Sequence, residues 1–310
     1  MGFSRHKFTT NHTQQLAEYI VSTDLKTFSE EVVSWAKENV LYYFGRMLNN
    51  KEYPVTKAMQ NISKIACPGK EEESVLWIDG TKASVEHAVL VNGTMTAEAI
   101  GISEMDIPGL AVSAALPVSW AMTKAEGLGG KEFLTAFILG CDAYLRIAKI
   151  TKTTKETETA WNKSLSACQL FAGIVSAAKL TGLDIVKTNQ VLGMGTAVAA
   201  IPSDLELSGG SDAFLYECGF RNADAVQLAR CAKLGVLNLE DALDDQWAFA
   251  SHYNNAPVLD ALTDNLHEGG RIVLELGYPH SSSKAVFENG KLSEALQNLE
   301  TAEILPDFTL

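Results

Sequence analysis

Phe133-Leu134-Thr135-Ala136-Phe137-Ile138-Leu139-Gly140-Cys141-Asp142-Ala143-Tyr144-Leu145-Arg146-Ile147-Ala148 decides how the rest of this chain is read. Phe133, Phe137, Cys141, Tyr144 and Ala148 recur at spacings of three and four, the period of an amphipathic helix. The same period extends outward. Val33, Ala36, Val40, Phe44 and Met47 keep it behind Thr27-Phe28-Ser29-Glu30, which reads as a capping box. Ser84 is placed to cap a helix through Ala99, and Pro108 suits the first turn of another that ends near Gly127. Downstream, helix is expected over Ser164–Thr181, stopped by Gly182, then from Asp184 as cap through about Ala200, and again over 220–234, 238–252 and 258–266. Residues 50–75 and 149–159 read as loops, the first because of Pro54, Pro68-Gly69 and the run Lys70-Glu71-Glu72-Glu73. Only Arg271–Leu276, Arg-Ile-Val-Leu-Glu-Leu, reads as a strand, and a last helix is expected over Lys291–Leu299. The fold class is therefore mainly α: a large all-helical domain with a short mixed α/β tail.

Composition narrows the function. With 310 residues, 46% of them hydrophobic, the chain is long enough to bury a large core. Its 25 basic and 38 acidic residues leave a net charge of −13, which excludes the basic face a nucleic-acid binder needs and disfavours an anionic membrane. The uncharged stretches Ile107–Thr123 and Thr188–Ser203 each fall short of the roughly 18 apolar residues of a membrane span. The polar opening Met1–His6 does not read as a secretory signal, and His6 stands where a myristoylation site needs Ser or Thr. Five cysteines without paired spacing (Cys67, Cys141, Cys168, Cys218, Cys231) read as buried reduced thiols, so a cytoplasmic protein is expected.

Chemistry-bearing motifs are sparse. Gly127-Leu128-Gly129-Gly130-Lys131 lacks the spacing of a phosphate loop and reads as a helix–helix turn; Gly193-Met194-Gly195 reads as close helix packing. The six histidines show no metal-ligand spacing, and no Gly-x-Ser-x-Gly elbow occurs, so neither a metal nor a local hydrolase nucleophile is expected. Glu104 and Asp106 stand among apolar residues just before Ile107-Pro108, where carboxyls of raised pKa would transfer protons; the alternative is a polar inter-helix loop. Lys163, opening a helix after the charged loop, and Arg221, after Gly219-Phe220, would anchor a carboxylate, or else are solvated helix starts.

A family then comes into view. Leu16-Ala17-Glu18-Tyr19-Ile20, Val32–Lys37, Phe44-Gly45, Ala88–Gly93, Ala114–Pro117, Gly130–Leu134 through Gly140-Cys141-Asp142 and Arg146, Ala177–Leu183 and Tyr278-Pro279 follow one another in an order that resembles the MmgE/PrpD family, which includes 2-methylcitrate dehydratases and cis-aconitate decarboxylases. The resemblance implies an all-helical domain, here residues 1–255, and a smaller α/β lid, of which residues 256–310 would be a remnant. It also implies a homodimer, a small-molecule substrate bound between the two parts, and proton or carboxylate removal without cofactor or metal. The family's acid–base residues carry over poorly. Its Asp falls at Ile100 and its His at Leu110; a second His falls at Lys163, one Lys at Arg221 and another at Leu276. Lys163 and Arg221 keep positive charge, while the aliphatic positions cannot move protons. Three readings follow: a divergent enzyme of biosynthesis performing dehydration, isomerisation or cyclisation on a less charged, more apolar molecule, with Glu104, Asp106, Lys163 and Arg221 as its catalytic groups; a non-catalytic binding protein; or a family-typical lyase.

Overall fold

The computed structural model describes residues 10–49, 53–66, 73–100, 107–151, 159–201, 212–236, 240–245 and 247–277. Its helices are His12–Ser22 (α1), Glu30–Asn49 (α2), Pro54–Ala66 (α3), Val85–Ile100 (α4), Ile107–Ala125 (α5), Gly130–Thr151 (α6), Thr159–Thr181 (α7), Ile185–Val198 (α8) and Ala213–Lys233 (α9). Among the described residues the one sheet is a two-residue antiparallel ladder, Ser74–Val75 (β1) against Lys82–Ala83 (β2). The architecture is mainly α, as the periodicity predicts.

Helix α7 runs through the middle, with α5, α6, α8 and α9 around it, while α4 packs on α3, α5 and α9. Its stretch Ser164–Thr181 is long and apolar enough to cross a membrane, yet 94% of it is buried inside the fold. Close helix contact depends on glycine. At the α4–α9 crossing a Cβ on Gly93 would lie 2.6 Å from Asn222 Nδ2, and one on Gly219 would strike the Leu90 carbonyl. Gly195 likewise lies against Ile174 and Phe171, so Gly193-Met194-Gly195 serves packing. A chain of rings fills the space between α2, α5 and α6: Phe44 lies 4.9 Å from both Trp77 and Trp120, Trp120 5.7 Å from Phe133, and Trp35 stacks on Phe137 at 6.0 Å. Such offset and edge contacts add to plain area burial.

Some helix ends follow local chemistry and others are capped from a distance, as where Glu98 accepts from Val55 N and Thr56 N at 3.2 and 3.0 Å at the start of α3. Asp184 caps α8 by accepting from Lys187 N at 2.8 Å, and Gly127, Gly182 and Gly235 take positive φ after α5, α7 and α9. Helix α1 has no cap of its own. Asp244 supplies it from far along the chain, accepting from His12 N at 2.7 Å and from Thr13 N and Oγ1 at 2.9 and 2.5 Å.

Four expectations are corrected. Residues 54–66 form α3, because Pro54 occupies a helix start, where its missing N–H costs nothing. Thr27 and Glu30 do not share a capping box. Thr27 answers Asp24 in the short turn Leu25–Thr27, and Ser29 Oγ accepts from Val32 N at 3.3 Å at the start of α2. The described residues of 238–266 hold the 3-10 turns Ala242–Asp244, Ala250–His252 and Leu259–Leu262 in place of two helices. Arg271–Leu276 is a 3-10 turn and not a strand. Its buried residues are Val273 and Leu276, three apart, the spacing that a 3-10 turn stacks on one face; an alternating strand would have buried Ile272, Leu274 and Leu276 together. The helix expected over Lys291–Leu299, and most of the run Lys70–Glu73, lie outside the described residues.

Candidate functional site

Contacts between the helices fix which ends meet. Arg230 binds Glu86 at 2.7 Å, whereas Gly93 lies against Gly219, so α4 and α9 are antiparallel and Ile100 lies at the end where α9 begins. Ser113 of α5 accepts through its carbonyl from Cys218 Sγ and Asn222 Nδ2, both at 3.2 Å, which brings the start of α5 to the same end. Gly140 of α6 meets Ala115 and Ala172, while Phe133 meets Trp120 and Ser176 Oγ donates to the Ala136 carbonyl, so α6 is antiparallel to both α5 and α7 and the start of α7 arrives there too. Helices α2 and α8 finish there, since Arg46 Nη2 donates to the Ile100 carbonyl at 3.2 Å and Arg221 Nη1 to the Val198 carbonyl at 3.3 Å. Starts and finishes are mixed, so the helix dipoles largely cancel and side chains set the local field.

The floor of this end is aliphatic. Ile100 and Leu110, the positions of the family's Asp and His, are 2% and 5% exposed. Of the sequence-predicted site residues, Arg221 is fully placed. Its Nη2 pairs with Asp224 at 3.1 Å, so its charge is already compensated. Burial raises the Asp224 carboxyl, and the guanidinium opposes that rise. Lys163 lies in the first turns of α7, with its side chain outside the described residues, as are Glu104 and Asp106 altogether. Of the four, the described residues therefore give side-chain contacts for Arg221. Leu276, the position of the family's second Lys, is buried in the main core.

Sequence reasoning missed several groups here. Arg46 of α2 adds a cation, held by Tyr42 OH at 3.2 Å and lying 5.8 Å from that ring's centroid. Tyr253 OH donates to the Ala200 carbonyl at 3.2 Å, and its ring stands 5.3 Å from Phe249, which itself touches Phe171. Behind them lies a neutral polar interior. Burial pushes the Cys168 and Cys218 thiols up to about 12 and holds the Tyr144 phenol well above its ordinary value. None of these is a nucleophile at neutral pH, where the thiolate is the reactive form. Arg46 directly follows the Phe44-Gly45 pair, a local signal; Tyr253 carries none.

A cleft of about 480 Å³ is lined by Lys149, Asp264, Glu268, Arg271 and Glu275 among others, and Arg221 is not among its described lining residues. Among the described residues no three His, Cys, Asp or Glu side chains group as metal ligands.

The family model of the MmgE/PrpD N-terminal domain matches residues 14–261. No curated protein matches the chain significantly. The match spans α1 to the turn at Leu259–Leu262, the whole helical bundle just described, and the chain belongs to the MmgE/PrpD family.

Proposed function

We propose that the chain is a divergent MmgE/PrpD enzyme that dehydrates, isomerises or cyclises a small molecule less charged and more apolar than a polycarboxylate, without a cofactor. One observation carries the reading: buried Ile100 and Leu110 stand where the family resemblance calls for an Asp and a His. Aliphatic groups in a low-dielectric floor penalise a substrate carboxylate and favour an apolar one. Proton transfer then falls to Glu104 and Asp106, with Lys163 and Arg221 as anchors for whatever negative charge develops. The family resemblance supports a homodimer, and the buried free thiols Cys141, Cys168 and Cys218 suit a reducing cytoplasm.

The compensated Arg221 favours a second reading, a binding protein without catalysis. Untargeted mass spectrometry of a small-molecule extract incubated with the protein separates the two. The enzyme reading expects a substrate lost and a product gained, abolished in Glu104→Gln and Asp106→Asn. No variant-dependent change supports the binding reading. Turnover of cis-aconitate or 2-methylcitrate would instead establish a family-typical lyase and overturn the apolar-substrate reading.

A further inference from the structure

We propose that Ser166, Gln169, Asn222 and Tyr144 form the polar wall of an internal site for a small uncharged molecule bearing both a hydrogen-bond donor and an acceptor. This deepens the reading above and rests on its claim that the bound molecule is uncharged.

Gln169 is 1% exposed, and neither its Oε1 nor its Nε2 has a hydrogen-bond partner. Ser166 Oγ, Asn222 Oδ1 and Tyr144 OH are buried and unpartnered as well. Each such atom costs free energy unless something satisfies it. The neighbouring α7 positions Leu165, Ala167, Leu170 and Phe171 are apolar, so the helix packs without needing an amide there.

The four groups face one seam. Ser166, Gln169 and Gly173 lie three and four residues apart, on a single stripe of α7. At Gly173 that stripe meets Val118 of α5 and Ala225 of α9, and a Cβ there would lie 3.7 Å from Asn222 Oδ1. Asn222 spends its Nδ2 on the Ser113 carbonyl, which leaves Oδ1 toward α7. Tyr144 enters from α6, close enough to Cys168 and Cys218 for both to act on its phenol. Ser166 is the outermost member, three residues into α7 from Lys163, so the row runs inward from the candidate site.

The chemistry of the wall selects the ligand. Ser113, Tyr144, Ser166, Cys168, Gln169, Cys218 and Asn222 carry no charge at neutral pH, and a carboxylate among them would exchange its hydration for neutral contacts. A neutral carbonyl or hydroxyl with an adjacent N–H or O–H would answer Gln169 Nε2 and Oε1 at once.

The test titrates the whole chain with 2-pyrrolidinone, which has one N–H and one carbonyl, and with 4-aminobutyrate, its charged ring-opened counterpart, by calorimetry. The wild type is expected to bind the lactam in preference. Gln169→Leu, of similar volume, is expected to weaken that binding about tenfold or more while melting no lower than the wild type, because the unpaired amide is gone. Gln169→Met and Ser166→Ala give the same comparison if the leucine variant does not fold. Equal lactam affinity in the folded variants, no lactam binding by the wild type, preference for the charged compound, or a clear drop in melting temperature in both Gln169→Leu and Gln169→Met each overturns the site. Lactam binding lost in Gln169→Leu without any turnover keeps the site and removes the enzyme reading alone.

Discussion

Asp142 and Arg146 lie one helical turn apart on α6, both 1% exposed, their side chains hydrogen-bonded to each other. Tyr19 OH donates to the same carboxylate at 3.3 Å, and Arg146 Nη1 donates to the carbonyls of Leu262 and Asp264 at 3.2 and 2.8 Å. The pair thus ties α1 and the following 3-10 segment to α6. Burial raises the Asp142 carboxyl, and Arg146 is the main influence opposing that rise. Arg146→Met removes it and leaves a buried carboxylate without its paired cation, so we expect a loss of about 3–5 kcal/mol at neutral pH in urea unfolding. The pH dependence has a definite sign. In the variant the folded carboxyl binds its proton at a higher pH than the unfolded one. Stability therefore rises as pH falls from the folded value toward the unfolded one, and the gap to wild type narrows. A deficit that stays constant or widens on mild acidification would show that the lost carbonyl contacts, and not the stranded charge, dominate.

Elements were legible where one apolar face decides them. The stripe Phe133–Ala148 gives α6, and Asp184 with Gly182 gives the α7–α8 junction. Helix α3 was obscured because Pro54 signals both a loop and a helix start, although Val55, Met59 and Ile62 already carry the helical spacing. The 3-10 segments were obscured because Arg-Ile-Val-Leu-Glu-Leu fits a period of two on paper and a period of three only once Val273 and Leu276 meet the core. The polar seam was hidden because its members come from α6, α7 and α9; a glutamine inside the apolar window Ser164–Thr181 was its one local trace. Helix α1 shows how far a single element can depend on distant chain. Asp244→Ala leaves the N–H groups of His12 and Thr13 without acceptors, and the expected cost is about 1–2 kcal/mol in denaturant unfolding, with faster amide exchange confined to the first turn of α1. Unchanged exchange there would mean that Asn11 or water replaces the cap. At the α4–α9 crossing, Gly219→Ala drives a methyl group into the Leu90 carbonyl, a backbone atom that cannot rotate away. We expect about 1–3 kcal/mol of destabilisation, measured the same way. A neutral result would require the two helices to separate without cost.

Across the whole molecule, the stretch 259–277 shares the core of the bundle. Leu262, Val273 and Leu276 belong to the same buried cluster as Trp35, Phe137 and Ile138. Gly270 lies against Phe28 and Ile138, and its φ of +66° leaves the path over α2 and α6 open to no larger residue without strain. Trp35 Nε1, at one end of the ring chain, donates to the Gly277 carbonyl at 2.8 Å. A boundary near residue 255, as the family resemblance implies, would let this stretch melt by itself; a shared core would not. Scanning calorimetry of the full chain therefore has a clear expectation, one cooperative transition for all described elements. Val273→Asp places a carboxylate in that shared core, and we expect it to lower the entire transition, by about 3–5 kcal/mol in stability. If the variant instead shows an early separate step while the main transition keeps its temperature, the stretch is an appended unit, and the continuity of packing from α1 to Gly277 contributes nothing to the stability of the helices around α7.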